Sequence, residues 1–355
     1  MRPQADASIS AFEAIERAQW IAFAPFVFQA ACVLRDRGVL AAIEASPSGL
    51  TLGEIAESTS LSRYAARVLL EAGLGIGLVR EDEQRRYLLT STSHYLLHDG
   101  MTRANMDFTR DVNYLGLAHL DDALTSGEPR GLSAFGEWPT IYAALAELPD
   151  QVRRSWFAFD HYYSDSAFPA ALPLVFRDRP RRLLDVGGNT GKWAKACLAH
   201  DPEVEVTIVD LPGQLRTAER ELRSAGLSER VQFHPADLLD PEVELPRGYD
   251  TIWMSQFLDC FGEAEIVAIL RRCAAAMDAD TRLYILEPFW DRQRFAAAQF
   301  CLQMTSLYFT ALANGNSQMY RSDVFLACVA EAGLVVELEH EGVGLSHTLL
   351  VCRRS

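Results

Sequence analysis

The fold is decided by LLDVGGNTG, which occupies residues 183–191. Its apolar beginning predicts a buried strand, interrupted only by Asp185. The glycines that follow allow the backbone to turn sharply and to approach a ligand closely. Because a helix is predicted directly afterwards, at 192–199, the unit has the strand–turn–helix order of α/β domains that bind nucleotides or nucleosides.

Strand and helix alternate from this stretch to the end of the chain. The predicted strands are 182–186, 204–209, 231–233, 250–255, 282–286, 335–339 and 347–351. The predicted helices are 192–199, 215–225, 264–277 and 323–332. This alternation predicts an α/β fold with a doubly wound, mostly parallel sheet.

The first half of the chain is predicted to be helical. Residues 11–45 have helical spacing of apolar residues, and two short helices and a hairpin are predicted between 50 and 89. That order is typical of a winged helix, which has two interpretations, DNA binding and protein interaction. The second helix carries only Arg63 and Arg67, so we favour protein interaction. Further helices are predicted between 100 and 178.

Composition narrows the function classes. The 355 residues carry a formal net charge of −15, which disfavours nucleic acid and anionic membranes as partners. The seven cysteines have no C-x-x-C spacing, so we predict no metal site and a cytoplasmic location. The apolar segment 20–34 is shorter than the roughly 20 residues of a membrane span, and we predict a buried helix there.

Acids placed after successive strands indicate a nucleoside ligand. Asp210 ends the second strand, and a carboxylate about 20 residues beyond a glycine turn can accept hydrogen bonds from ribose hydroxyls. Asp237 follows the third strand and can receive an adenine amine, with Leu238 against the ring. The G-x-G-x-x-G spacing of NAD sites is absent, because Asn189 replaces the second glycine. S-adenosylmethionine, which has no pyrophosphate, fits this pattern better than NAD.

Three segments resemble S-adenosylmethionine-dependent O-methyltransferases that act on caffeic acid, isoflavones and bacterial polyketides. They are DVGGNTG at 185–191, VDLP at 209–212 and EP at 287–288. The resemblance extends over nearly the whole chain and implies a Rossmann-like methyltransferase domain. It also implies that the winged-helix part forms an intertwined homodimer and does not bind DNA. S-adenosylhomocysteine would be the product.

The resemblance divides the chain and assigns its site. The implied parts are a helical dimerisation domain at 1–100, a helical linker and substrate-lining segment at 101–178, and the cofactor-binding domain at 179–355. The glycine turn and the resemblance together predict a cofactor site formed by Asp185, Gly187, Gly188, Gly191, Asp210, Leu211, Asp237, Leu238 and Ser255.

The catalytic position departs from the family pattern. The family has a general-base His in a Leu-His-Asp-Trp stretch, and here the matching position is Asp259. One of the two acids that orient that His is matched by Glu287, whereas no acid stands near Gln318 or Met319. An ordinary Asp, with a pKa of about 3.9, is a much weaker base than His unless burial raises its pKa. Asp259 is therefore either the base or a pocket-lining residue, and His161 is a second candidate base.

Three activities remain open on this sequence. The first is O-methylation of a small aromatic or polyketide-like acceptor, which we favour. The second is C-methylation of a phenolic ring, and the third is a cofactor-binding relative that no longer transfers methyl. The residues predicted to line the acceptor are Tyr162, Gln256, Phe300, Met304, Tyr308 and Asn314. A transcription factor and an NAD-dependent oxidoreductase are the alternatives from other classes.

Overall fold

A computed structural model describes residues 9–355 and contains two compact units, one ending at Asp111 and the other spanning Val112–Ser355. The elements of the first unit are the helices α1 to α6 and the strands β1 and β2. In chain order they are α1 (Ala11–Asp36), α2 (Val39–Glu44), α3 (Leu52–Ser58), α4 (Arg63–Gly75), β1 (Val79–Glu81), β2 (Tyr87–Leu89), α5 (Ser91–His98) and α6 (Gly100–Phe108). β1 and β2 pair as an antiparallel hairpin, which confirms the predicted order of helices and hairpin.

Helix α1 corrects the prediction of a buried helix at 20–34. Its C-terminal part is buried at Cys32 and Leu34, but Ile21 and Phe26 are 76% and 70% exposed in the single chain. The length argument against a membrane span was also wrong, because a capping box at Ser10 starts the helix well before residue 20. At 26 residues, α1 is long and apolar enough to cross a membrane, although its length and composition are weak evidence for that. It carries an exposed apolar face.

The second unit contains the helices α7 to α14 and the strands β3 to β9. Its helices are α7 (Leu120–Ser126), α8 (Ile141–Ala144), α9 (Asp150–Val175), α10 (Lys192–His200), α11 (Pro212–Ser224), α12 (Glu263–Ala276), α13 (Ala296–Tyr308) and α14 (Ser322–Glu331). Its strands are β3 (Arg182–Val186), β4 (Glu205–Asp210), β5 (Val231–Pro235), β6 (Thr251–Ser255), β7 (Arg282–Glu287), β8 (Leu334–Val343) and β9 (His347–Arg354).

The seven strands form one sheet with the order β5-β4-β3-β6-β7-β9-β8. β3 to β7 pair in parallel, whereas β9 runs antiparallel to both β7 and β8. Apolar clusters on the two sides of the sheet form the core. The sheet therefore confirms the predicted Rossmann-like fold.

The strand order positions a site at the centre of the sheet. From β3 the chain proceeds outward through β4 and β5, and then returns to place β6 on the other side of β3. Ligands of open α/β sheets bind at this reversal, beyond the carboxyl ends of the strands. β3 ends in the glycine turn, and β6 ends at Ser255.

Candidate functional site

The glycine turn after β3 has a backbone that only glycine accommodates. Gly187 has φ +75°, and a Cβ at this residue would lie 2.2 Å from the Phe257 ring. A Cβ at Gly188 would lie 2.7 Å from Asp185 Oδ2. Gly191, with φ +78°, begins α10 and packs against Leu222. The turn therefore brings the backbone close to its neighbours.

Asp210 holds this turn from the neighbouring strand. Its Oδ2 accepts a hydrogen bond of 2.8 Å from the Asn189 backbone N–H, and its Oδ1 accepts one of 2.7 Å from the Leu211 backbone N–H. Asn189 itself has φ +48°, an uncommon conformation for a residue other than glycine. Burial raises the pKa of Asp210, and the two N–H donors oppose that rise.

An open cleft of about 480 Å³ lies along the turn and the end of β6. Among the predicted residues, Asp185, Gly187, Gly188, Ser255, Gln256 and His161 line it. Several buried polar atoms at its walls have no hydrogen-bond partner among residues 9–355, and they are Asp185 Oδ2, Asn189 Oδ1, Thr190 Oγ1, Ser255 Oγ and Gln256 Oε1. Buried polar atoms are normally satisfied, so these atoms indicate a polar ligand in the cleft.

The other predicted cofactor residues lie around the same edge of the sheet. Asp237 is exposed, and its Oδ1 accepts a hydrogen bond of 3.0 Å from the Leu239 backbone N–H. Leu238 is 6% exposed and belongs to the core, whereas Leu211 is 41% exposed. Burial, followed by the charge of Asp210, raises the pKa of Asp185 to about 8.

Asp259 and Glu287 lie together at the ends of neighbouring strands. Asp259, in a short 3-10 turn after β6, is 4% exposed, and Glu287, the last residue of β7, is 2% exposed. Glu287 Oε1 accepts hydrogen bonds from the backbone N–H groups of Phe257 and Leu258, at 3.1 and 2.9 Å. Glu287 Oε2 finds no donor in the described part of the chain.

Both carboxyl groups hold protons more strongly than usual. Burial raises the pKa of Asp259 to about 7, and the Cys260 thiol, 3.5 Å from Asp259 Oδ1, works in the opposite direction. Burial and then the charge of Asp259 raise the pKa of Glu287 well above its usual range. We interpret this as a pair in which ionisation of one acid disfavours ionisation of the other.

Sequence reasoning missed Asp160. This residue of α9 lines the cleft, and burial followed by the charge of Asp259 raises its pKa to about 7. Asp160 therefore connects the cleft with the Asp259 pair. The available signal was a carboxylate inside a dense aromatic stretch of a predicted helix, directly before His161.

His161 faces two carboxylates of its own helix. Its Nδ1 lies 3.7 Å from both Asp160 and Asp165, and its ring stacks on Phe157 with centroids 5.7 Å apart. Asp165 also pairs with Lys192 at 2.5 Å. Burial and the Lys192 charge lower the pKa of His161, so its neutral, basic form is favoured at neutral pH.

The predicted acceptor residues divide into two groups. Tyr308 is 6% exposed and accepts a hydrogen bond of 2.7 Å from Trp156 Nε1, and Asn314 Nδ2 donates to the Cys260 carbonyl at 2.5 Å. These two residues belong to the surroundings of Asp259. Phe300 and Met304, one and two turns earlier on α13, are 60% and 46% exposed in the single chain. Tyr162 is half-buried on α9.

A group of possible metal ligands lies in the first unit, away from the predicted residues. One ligand atom each from Glu44, His94 and His98 lie within 4.8 Å of one another, and all three residues are exposed. His98 Nε2 lies 2.8 Å from Glu44 Oε1, so an ordinary ion pair accounts for the arrangement.

Two family models match the chain. A Dimerisation2-like domain matches residues 16–87, and an O-methyltransferase domain matches residues 171–333. The chain belongs to the O-methyltransferase family. It is an S-adenosylmethionine-dependent methyltransferase with an N-terminal dimerisation domain, as the sequence predicted.

Similar proteins differ in their reactions. The L-tyrosine C(3)-methyltransferase of Streptomyces lavendulae is 26% identical to this methyltransferase over 90% of the chain and 86% of the relative. The aclacinomycin 10-hydroxylase RdmB of Streptomyces purpurascens is 29% identical over 67% of the chain and 63% of the relative.

Solved structures share the fold. The apo form of the S-adenosylmethionine-dependent methyltransferase SibL has a TM-score of 0.73 at 24% identity, with 94% of this chain and 98% of SibL covered. The O-methyltransferase NcsB1 from neocarzinostatin biosynthesis, solved with S-adenosylmethionine and 2-hydroxy-5-methyl naphthoic acid, has a TM-score of 0.66 at 23% identity. That comparison covers 92% of this chain and 96% of NcsB1.

Proposed function

We propose that this methyltransferase methylates a hydroxyl group of a small aromatic or polyketide-like acceptor, with Asp259 as the general base. The observation that supports this most strongly is the buried Asp259, whose pKa of about 7 suits proton transfer at neutral pH. Asp160 links this acid to the cleft at the glycine turn. A proton acceptor would thus lie next to the cofactor site.

The cleft fits S-adenosylmethionine by its chemistry. Bound there, this cofactor supplies an electrophilic methyl group on a sulfonium. Its amino, carboxylate and ribose groups would satisfy the unpartnered atoms of Asp185, Ser255 and Gln256. Asp210 would accept hydrogen bonds from the ribose and keep the glycine turn in place. Asp237, Leu238 and Leu211 would receive the adenine.

Asp259 would act by accepting the acceptor's hydroxyl proton. A carboxylate with a pKa of about 7 is a far better base than an exposed one, because desolvation has made its proton affinity comparable to that of His. Glu287 accepts two backbone N–H groups from the segment that leads into Asp259, so it would position that segment. Glu287 is therefore a positioning residue in this proposal.

His161 is the second candidate base. It lines the cleft in a neutral form, and Asp160 and Asp165 lie near its Nδ1. In this version Asp259 would only line the acceptor pocket. A comparison of His161→Gln with Asp259→Asn separates the two versions, since only the true base should reduce turnover sharply while leaving S-adenosylhomocysteine binding intact.

C-methylation of a phenolic ring is the second candidate function. The tyrosine C(3)-methyltransferase relative favours it, because that protein is aligned over nearly the whole length of both chains. Here the base would remove the ring proton after methyl transfer. The hydroxylase relative keeps open the third possibility, a protein that binds the cofactor without transferring methyl.

One experiment separates these activities. The protein is incubated with S-adenosylmethionine carrying a ¹³C-methyl group and with matched phenolic acceptors of one to three rings. A methoxy carbon signal in the product supports O-methylation, and an aryl-methyl signal establishes C-methylation. S-adenosylhomocysteine binding without any ¹³C product contradicts both and leaves the non-transferring protein.

The assembly and location follow the same family. The exposed apolar face of α1, with Phe12, Ile21 and Phe26, would be covered by a second copy of the first unit. The helices and hairpin at 39–89 would then act as a winged helix for dimerisation rather than for DNA. We propose the domain limits 1–100, 101–178 and 179–355, a cytoplasmic location, and no membrane, metal or nucleic-acid partner. Light scattering at micromolar concentration tests the homodimer, which a monomeric mass contradicts.

A further inference from the structure

The surroundings of Asp259 contain three carboxyl groups, which we call the acid cluster: Asp160, Asp259 and Glu287. The charge of Asp259 raises the pKa of both other members, so the three groups lie within electrostatic reach of one another. They come from α9, the turn after β6 and the end of β7. This arrangement is absent from the family pattern described above, which places a His at the position of Asp259.

Positive charge is scarce around the acid cluster. Among residues 9–355, no Lys, Arg or His forms an ion pair with Asp259 or Glu287. Lys192 lowers the pKa of Asp160, but its own ammonium pairs with Asp165 at 2.5 Å. Glu287 Oε2, on a side chain that is 98% buried, has no hydrogen-bond donor. Buried carboxylates are normally paired with a cation or a donor, so a partner is missing.

We propose that the acceptor carries a basic nitrogen and that its protonated form docks against the acid cluster. An ammonium group offers up to three N–H donors, which match the unpartnered Glu287 oxygen and the two Asp carboxyl groups. The inference rests on the proposed function, because it requires the acceptor to lie beside Asp259. It narrows the acceptor class to aromatic or polyketide-like molecules with an amine near the methylated atom.

Docking of a cation would also change the protonation of the cluster. An ammonium ion stabilises the ionised form of a nearby carboxyl group and therefore lowers its pKa. Asp160 and Asp259, with pKa values of about 7, are about half protonated at neutral pH and would release protons on binding. The acceptor's own charge would thus convert Asp259 into its basic form. The other titratable groups that act on the cluster are Tyr142, His161, Asp165, Lys192, Cys260 and Tyr308.

Calorimetry with matched probes tests the proposal. The full-length protein is first saturated with S-adenosylhomocysteine at pH 7. It is then titrated with tyramine or 4-ethylphenol, and with 6-(aminomethyl)-2-naphthol or 6-ethyl-2-naphthol, so that each pair differs in one amine. We expect the amine of at least one pair to bind about 10–100-fold more tightly, the factor for one charge-assisted hydrogen bond. Repetition in phosphate and Tris buffers should show net proton release with the amine only.

Variants locate the cation. Asp259→Asn and Glu287→Gln should each reduce the amine preference at least tenfold, whereas Asp178→Asn, a matched charge change on an exposed residue, should preserve it. The cofactor sulfonium is the competing cation. If Asp259→Asn weakens S-adenosylmethionine far more than neutral S-adenosylhomocysteine and leaves the amine preference intact, the cluster serves the cofactor and the proposal is overturned.

The remaining outcomes are equally decisive. Absence of an amine preference in both probe pairs, including absence of binding by all four probes, overturns the proposal. Failure of S-adenosylhomocysteine itself to bind contradicts the proposed function instead. A circular dichroism spectrum and melting curve of each variant ensure that a lost preference does not reflect unfolding.

Discussion

The glycine turn and the acid cluster, two regions at the same edge of the sheet, differ in how they handle buried carboxylates. At the turn, Asp210 accepts two backbone N–H bonds and stabilises a local conformation. In the acid cluster, Asp259 accepts only a weak contact from the Cys260 thiol, and Glu287 keeps one oxygen without a donor. A carboxylate that is satisfied by backbone serves structure and binding, whereas one left poorly satisfied retains a high pKa and remains available for chemistry.

The largest effect should follow from removing the charge of Asp259. Asp259→Asn keeps the shape of the side chain and should lower kcat by about 10²–10⁴-fold, the usual contribution of a general base. The affinity for S-adenosylhomocysteine should stay the same, because the cofactor cleft is lined by other residues. Steady-state rates and calorimetry check both parts. Turnover equal to the wild type would assign Asp259 to the pocket wall and favour His161.

The pH profile should report the same group. Since the ionised form of Asp259 is the base and its pKa is about 7, log kcat/KM should rise with pH and level off above 7. Below that pH the rate should fall about tenfold per unit. A profile with its inflection near pH 4 would mean that Asp259 is solvated in the working enzyme. The Asp259→Asn variant should lose the limb.

The turn should be tested through Asp210. Asp210→Ala removes the acceptor for the Asn189 and Leu211 N–H groups and for the proposed ribose contact. We expect S-adenosylhomocysteine to bind about 1.5–3 kcal/mol more weakly, the range for charge-assisted hydrogen bonds. Asp237→Ala, at an exposed acid of the same edge, provides a comparison in which one weaker contact is lost. Unchanged affinity of Asp210→Ala would separate this residue from the cofactor.

The smallest effect concerns stability, and its sign distinguishes the two regions. A pKa raised from 3.8 to about 7 means that folded Asp259 binds more protons than the unfolded chain between these pH values. Stability is therefore present at low pH and is lost as the pH rises through 7. Asp259→Asn should raise the melting temperature at pH 8 by several degrees, within an upper limit of about 4 kcal/mol, and should have little effect near pH 4.

Scanning calorimetry at both pH values measures this effect, with Asp178→Asn as the exposed control. An equal change at pH 4 and pH 8 would show that the effect comes from packing rather than from charge. Lower stability of Asp259→Asn at pH 8 would contradict the high pKa itself.

Local patterns were sufficient for much of the molecule. The order of strands and helices after residue 180 and the glycine turn were predicted correctly, because apolar periodicity and positive-φ glycines act over a few residues. Helix α1 was misjudged for the complementary reason. Its length and apolar composition are local, but burial depends on which surfaces cover it, and most of its N-terminal part is exposed in the single chain.

The sequence by itself determined the fold class, the family and the replacement of the family's His by Asp259. It could not determine the pKa of that Asp, because the shift arises from burial and from neighbours that are distant along the chain. Asp160, Asp259 and Glu287 belong to three separate elements, and only the packing of α9 and the ends of β6 and β7 brings their charges together. Electrostatic effects depend on separation in space and on exclusion of water, and both are set by tertiary structure.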